Sequence, residues 1–476
     1  MKTNPHPAGF AEALATFQEA ATRVPAYRDF LVKNSIDPEK VTTPEDFSVV
    51  PPVTKENYLK AYPLPDLLKD GDVTTGHVVS MSSGSSGTPS FWFRNDIATR
   101  QSVELNNTLF RTSYKSHEEK TLVIIAYAMG TWIAGTYMFT GILKLAEEDH
   151  HISLVTPGIN KGEIIHILKN LAPHFERTVI AGYPPFVKDV LDDAEEAGAP
   201  LTTLNVSLLF AGENYSEMWR DYVLKKIGKQ NDITASVGIY GTADAGIMGF
   251  ENPFSIFARR KIVENEALMK SLFPQATLLP TLVGYRPDMR YFETNKNYLL
   301  FTADNAMPLI RYKINDEGRL ITGEELTAAL AESDIEIPAD LIQAHGYDQY
   351  LALYGRSDVS TTFYALDIFP ENIKYGLESH ELQERITGKF VLRSEYDRKQ
   401  NQTLHLYVEL RRDKKQSESL AFEIQEAVMG SLRKYNSEYN KLYSEMGAKA
   451  RPRIHLLAYG APEFEIKIKH RWTSKQ

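Results

Sequence analysis

Between Leu122 and Thr302, short apolar runs alternate with stretches of helical spacing, and few architectures tolerate that alternation. Ser207-Leu208-Leu209-Phe210 ends at Gly212-Glu213 and is followed by a polar helix from about Ser216. Ile233 to Tyr240 ends at Gly241, Tyr298 to Thr302 is a third run, and Leu122 to Ala126 reads as a buried strand. Ile164 to Leu171 and Pro185 to Leu191 have the spacing of helices. Strands that alternate with helices predict an α/β domain. In such sheets, ligand-binding groups gather on the loops that leave the strand ends.

The flanks read differently. Phe10, Leu14, Phe17 and Ala21 recur at helical spacing, and Pro25 is expected to stop that helix. After Gly355-Arg356 the pattern changes. Phe390-Val391-Leu392 and the alternating Leu404, Leu406, Val408 and Leu410 predict a hairpin, with Asp397 to Gln402 as its turn. Ser417 is placed to cap a helix carrying Leu420, Ile424, Val428 and Leu432, and Ile454 to Leu457 is a last strand. We therefore expect a large α/β domain over 1–355 and a compact α+β domain over 356–476.

With 476 residues, 43% of them hydrophobic, a sizeable core is within reach. The net charge of −9 disfavours nucleic acid as a partner. Cysteine is absent, so disulfides, thiolate-bound zinc, iron–sulfur clusters and a cysteine nucleophile are excluded. Any thiol chemistry needs an external thiol. Neither a signal-peptide core nor a run of 18 apolar residues is present, so a cytoplasmic protein without a membrane partner is expected.

Ser82-Ser83-Gly84-Ser85-Ser86-Gly87-Thr88-Pro89 lies between Val78-Val79 and Phe91-Trp92-Phe93. Two glycines three apart let the backbone bend and present its N–H groups, and the hydroxyls add donors. Such a loop can wrap a phosphate chain, although a plain Gly/Ser surface loop has the same composition. It lacks the Gly-x4-Gly-Lys-Ser/Thr spacing of a Walker loop.

Three further motifs follow in order: Tyr240-Gly241-Thr242-Ala243-Asp244, Arg311-Tyr312-Lys313-Ile314-Asn315-Asp316, and Gly355-Arg356-Ser357-Asp358. Glu465-Ile466-Lys467 stands near the end. This ordered set resembles the adenylate-forming superfamily of acyl-CoA synthetases, luciferases and nonribosomal adenylation domains. Val24-Pro25-Ala26-Tyr27, Pro52-Val53-Thr54-Lys55, Ala126-Tyr127 and Phe369-Pro370-Glu371-Asn372-Ile373 extend the likeness to its phenylacetate–CoA ligase branch.

The resemblance implies a large adenylate-forming domain of stacked sheets and helices with a small mobile C-terminal lid. It implies a two-step reaction: a carboxylate attacks the α-phosphate of ATP, and a thiol then displaces AMP. ATP, Mg2+ and CoA are the implied cofactors, and a small carboxylic acid the partner; a homodimer is left open. Ser82, Ser83, Gly84, Ser85, Ser86, Gly87 and Thr88 would hold the outer phosphates. The family's loop lysine is missing here, and Arg94 is the nearest substitute. Gly212 and Glu213 would line the adenine, Tyr240 would stack on it, and Gly241 and Thr242 complete that strand end. Asp244 would help hold Mg2+, Asp316 would accept from both ribose hydroxyls, and Arg311 precedes it at the family spacing. Arg356 and Asp358 match the hinge. Lys467 matches the adenylation lysine, with Lys469 two residues on.

Tyr127, Met129, Trp132, Ala245 and Gly246 are the candidate acyl pocket, which suits an aryl or compact hydrophobic acid. Ala365 replaces a family glycine and could crowd a pantetheine tunnel. An amine or carrier-protein thiol therefore remains as an alternative acceptor, and a catalytically impaired nucleotide-binding protein as a third reading. Ordinary readings stand beside these: Asp244 as a helix cap, Asn315-Asp316-Glu317-Gly318 as a turn, and His150-His151 as an exposed polar loop.

Overall fold

The computed structural model describes residues 8–81, 90–130, 133–276, 278–344, 348–356, 361–363, 366–396 and 402–464. The chain forms two compact units. The first comprises Met1–Asn214, Lys226–Leu272 and Pro280–Tyr354; the second comprises Tyr215–Lys225, Phe273–Leu279 and Gly355–Gln476.

The first unit is organised by one long sheet. Its strands, after the separate pair β1 (Val78–Met81) and β2 (Phe91–Arg94), are β3 (Thr121–Ala126), β4 (Ile152–Val155), β5 (Arg177–Gly182), β6 (Val206–Ala211), β7 (Ser236–Thr242), β8 (Gly246–Phe250), β9 (Thr281–Gly284), β10 (Tyr291–Asn295), β11 (Tyr298–Ala303), β12 (Leu309–Thr322) and β13 (Gln349–Arg356). They lie in the order β10-β11-β12-β13-β9-β8-β7-β6-β5-β3-β4. The strands from β4 to β7 run parallel, and β7 to β8 is the first antiparallel step. Every side chain of β3 and β5 is buried, as a parallel sheet covered on both faces demands.

The predicted strands and helices of this unit fall where the apolar runs put them, with three informative differences. Pro25 does not merely end the helix Phe10–Arg23; it occupies the first turn of a second helix, Pro25–Lys33, where a missing N–H costs nothing. The Asn315 to Gly318 segment is not a turn between elements but a bulge inside β12. Tyr298 pairs with Glu317 and Leu300 with Lys313, so four steps along β12 oppose two along β11, and Asn315 takes a φ of 69°. His150 is buried rather than exposed, its ring bridging Ser116 Oγ (2.6 Å) and Asn107 Oδ1 (2.9 Å).

The N-terminal helices cover the antiparallel end of the sheet. Phe17, Tyr27, Phe47 and Tyr58 join Tyr291, Phe292, Phe301 and Tyr312 in one buried cluster. Several of these rings meet edge-on at centroid distances of 5.5 to 6.1 Å, the geometry that their quadrupoles favour. The Val24-Pro25-Ala26-Tyr27 segment therefore serves packing: Tyr27 is 2% exposed.

In the second unit the hairpin of β16 (Ile386–Tyr396) and β17 (Gln402–Leu410), numbered after the short pair β14 (Thr361–Phe363) and β15 (Leu366–Ile368), is joined in parallel by β18 (Arg453–Leu457). Ser417 Oγ accepts the Leu420 N–H and caps the helix Glu418–Tyr435, as expected. That helix packs against Pro370–Leu377 so closely that a Cβ at Gly376 would lie 2.7 Å from the Val428 Cα. Glu217–Lys226 is the polar helix expected from Ser216.

Candidate active site

The loops that leave the parallel strands carry several of the candidate residues. Tyr127 follows β3, Tyr183 follows β5, Gly212-Glu213 follows β6, and Ala243-Asp244-Ala245 joins β7 to β8. All belong to the first unit. Asp244 thus sits in a hairpin turn and not at a helix terminus, because β8 turns straight back along β7 with Thr242 opposite Gly246.

Two segments of identical spacing interlock at this place. Tyr240 and Asp244 are four apart on the β7–β8 hairpin; Tyr312 and Asp316 are four apart on β12. The Tyr240 hydroxyl donates to Asp316 Oδ2, and the Tyr312 hydroxyl donates to Asp244 Oδ2 at 2.9 Å. Each tyrosine therefore holds the aspartate of the other segment. Asp244 is 7% exposed and Asp316 5%. Buried carboxylates need such donors, since an unpaired charge in a low-dielectric interior is costly. The β12 bulge explains how Asp316 meets Tyr240, because two extra residues re-aim the strand.

The turn is fixed from several sides. Thr242 Oγ1 accepts the Ala245 N–H at 3.1 Å. Gly246 has a φ of +75°, and a Cβ there would lie 2.7 Å from the Tyr137 hydroxyl. Only glycine fits both conditions. Arg94, at the end of β2, donates to the Ala243 carbonyl and, at 3.0 Å, to Ser80 Oγ. Burial pushes its pKa down to about 10, with Arg290 adding to the fall and Asp244 opposing it.

Other expected site residues are placed as follows. The Glu213 carboxylate accepts from the Tyr183 hydroxyl, and a Cβ on Gly212 would meet the Tyr183 ring at 3.3 Å. Gly241 is exposed beside the turn, where a Cβ would press on the Gly246 carbonyl at 2.9 Å. Arg311 is turned inward. Its guanidinium pairs with Glu293 at 2.8 Å and donates to the Val50 carbonyl, 2% exposed, with φ 47°. That side chain ties β12 to β10 and the N-terminal segment. Tyr127 is also a core residue: it is 5% exposed, its hydroxyl donates to the Leu209 carbonyl at 3.2 Å, and burial raises its pKa. Met129 lies against Gly135 and Gly158. Ala245 is buried next to Gly246.

Ser82 to Thr88, Trp132, Asp358, Lys467 and Lys469 lie outside the described residues, as does the Arg356 side chain. Residues missed as site candidates are Tyr312, Tyr137 and Arg290. Tyr312 had a signal, since it repeats the Tyr-x3-Asp spacing of the first segment; the other two reach the turn through tertiary packing alone.

Among the described residues no group of three or more His, Asp and Glu side chains could hold a metal ion. One carboxylate at Asp244 nevertheless suits Mg2+, which commonly takes one or two protein carboxylates and completes its shell with water and phosphate oxygens.

No protein-family model matches the chain, and no curated protein matches it. Solved structures do. A 2-hydroxyisobutyryl-CoA ligase in the postadenylation state, in complex with R3-HIB-AMP, superposes with a TM-score of 0.66 at 14% identity, over 98% of this chain and 88% of that one. The same enzyme in an open conformation with 2-HIB-AMP and CoA gives 0.55 at 15% identity, over 100% and 93%. The chain has the adenylate-forming fold. The first unit therefore shares its scaffold with acid–CoA ligases, and on it Asp244 lies in the β7–β8 connection while Tyr312 and Asp316 lie on β12. Among the described residues no helix is long and apolar enough to cross a membrane.

Proposed function

We propose that the protein is an ATP-dependent, AMP-forming carboxylate ligase that makes an acyl adenylate and transfers the acyl group to CoA. The observation that carries this reading is the interlocked pair of segments, which holds Asp244 and Asp316 buried and oriented by a tyrosine hydroxyl each. Asp316 can accept hydrogen bonds from both ribose hydroxyls through its two oxygens. Asp244 can take one position on Mg2+, which supplies positive charge against the phosphates. The reacting carboxylate approaches a polyanion, so cancelled repulsion and fixed donors are the main source of rate. In this reading the Ser82–Thr88 loop wraps the outer phosphates, Gly212, Glu213 and Gly241 line the base, and Tyr240 stacks on it. Lys467 reaches the carboxylate and α-phosphate. Arg356 and Asp358 form a hinge, so that residues from 356 onward move between the two half-reactions.

Balance is simple. A carboxylate oxygen forms a bond to the α-phosphorus while the bond to pyrophosphate breaks. The thiolate sulfur of CoA then attacks the acyl carbon, and AMP leaves with the carboxylate-derived oxygen. The absence of cysteine fits an acceptor that brings its own thiol.

The test is pyrophosphate release with ATP, Mg2+ and a panel of acids, with and without CoA. Acid-dependent release that rises with CoA is expected. Release that ignores CoA but rises with an amine would replace the acceptor, and ATP binding without release under any condition would refute the ligase.

A further inference from the structure

Arg94 and Arg290 are each 2% exposed and flank the same turn. Arg94 donates to the carbonyl of Ala243, and Arg290 donates to that of Ala245 at 2.9 Å, so the two guanidiniums grip the residues on either side of Asp244. Between them stands Tyr137, on the helix Ile133–Glu147 that follows the expected acyl segment. The Arg94 guanidinium carbon lies 5.4 Å from the centre of the Tyr137 ring.

Their partners are unlike those of the chain's other buried arginines. Arg311 pairs with Glu293, Arg177 with Glu119, Arg220 with Glu217 and Arg259 with Glu251. Among the described residues, Arg94 and Arg290 have no carboxylate in contact. Besides the two turn carbonyls, Arg94 donates to Ser80 Oγ, and Arg290 to Gln101 Oε1 and the Met289 carbonyl. The Nε–H of each is buried with no acceptor among the described residues. A buried cation normally takes a counter-ion, and a buried donor normally takes an acceptor. Asp244 and Asp304 act on this pair only through the field, and burial lowers the pKa of both guanidiniums. Two unmatched cations beside the reacting centre are poised for oxygen that arrives with a ligand.

We propose that Arg94, Arg290 and Tyr137 form a subsite for a second oxygen acceptor on the acid, close to its reacting carboxylate. The claim rests on the ligase reading and narrows its substrate to hydroxy acids or dicarboxylic acids, in place of the plain aryl or aliphatic acid expected from the sequence. A carboxylate and a hydroxyl share the needed chemistry, and the two arms of the test separate them.

The test compares kcat/KM for pyrophosphate release across matched sets: butanoate, 2-hydroxybutanoate and butanedioate; benzoate, 2-hydroxybenzoate and benzene-1,2-dicarboxylate. In at least one set an oxygen-bearing acid should exceed its apolar parent about tenfold or more, the size of one hydrogen bond to a charged group. Preference for the diacid assigns a charged acceptor; preference for the hydroxy acid assigns a neutral one. Arg290→Met and Arg94→Met should each bring that ratio towards one, and Arg290→Lys should restore part of it. A wild-type preference for the apolar parents, or a ratio that survives both methionine variants, overturns the proposal. If no acid releases pyrophosphate, the ligase reading fails on its own account. Calorimetric binding of the same acids then decides the subsite: equal affinity for parent and oxygen-bearing acid overturns it, and a preference lost in Arg290→Met supports it.

Discussion

Replacing Tyr312 with Phe removes one oxygen atom and little else. The ring is fully buried and meets Phe301 and Trp92 at centroid distances of 5.5 and 6.4 Å, contacts that phenylalanine keeps. What disappears is the 2.9 Å donor to Asp244 Oδ2. A hydrogen bond to a charged, buried carboxylate contributes about 1.5–3 kcal/mol, and removing one partner exposes most of that cost. Ligand-free Tyr312→Phe should therefore unfold about 1.5–3 kcal/mol more easily in urea, read from the midpoint with an unchanged slope. Bound Mg2+ would replace the lost hydroxyl as a partner of Asp244, so MgATP should stabilise the variant more than it stabilises the wild type. Pyrophosphate release should slow about 10- to 100-fold, because an unpinned carboxylate samples wrong positions. The pattern matters more than either number. Equal stabilisation of both proteins by MgATP, with stability and rate unchanged, would refute the claim that this hydroxyl orients a metal-side carboxylate.

Three other outcomes follow from the same geometry. Glu293→Ala leaves the Arg311 guanidinium buried without its 2.8 Å partner and should cost about 3–5 kcal/mol in denaturant melts, while the Kd for ATP stays unchanged; a lost ATP affinity at unchanged stability would return Arg311 to the nucleotide site. Gly246→Ala must place a Cβ 2.7 Å from the Tyr137 hydroxyl at a φ of +75°, and should lose about 1–3 kcal/mol, part of it recovered by adding Tyr137→Phe; no loss on calorimetric melting would show that the turn is not fixed there. Burial holds the His150 pKa below its ordinary 6.5, so the unfolded chain binds a proton that the folded chain refuses. Stability should thus fall as pH drops below about 6.5, and a His150→Asn variant should lose that slope; an identical pH profile in the variant would contradict it.

Much of this molecule is written locally in its sequence. Three of the five parallel strands were legible because a strand buried on both faces is a continuous apolar run, as in Leu122 to Ala126 and Ser207 to Phe210, whereas Ile152–Val155 and Arg177–Gly182 were not read as strands. Ser417 announced its helix because a cap acts within three residues. The misreadings share one cause. Asn315-Asp316-Glu317-Gly318 has turn composition, but the neighbouring strands hold it in β12 as a bulge, and tertiary pairing overrides local preference. The contact of Arg311 with Glu293, eighteen residues away, is likewise one that no motif reveals. Arg94, Arg290 and Tyr137 come from three distant segments and were not legible as a group. The pairing of Tyr240 with Asp316 and of Tyr312 with Asp244 stood half in view: the repeated spacing was in the sequence, and the crossing of partners needed the fold.

The most direct measurement follows an oxygen atom. With both carboxylate oxygens of an accepted acid labelled with 18O, turnover with ATP and CoA should yield AMP carrying one labelled oxygen on its phosphate, because the attacking carboxylate oxygen stays with AMP. Unlabelled AMP, or ADP with labelled phosphate, would contradict adenylate formation and with it the role assigned to the interlocked aspartates.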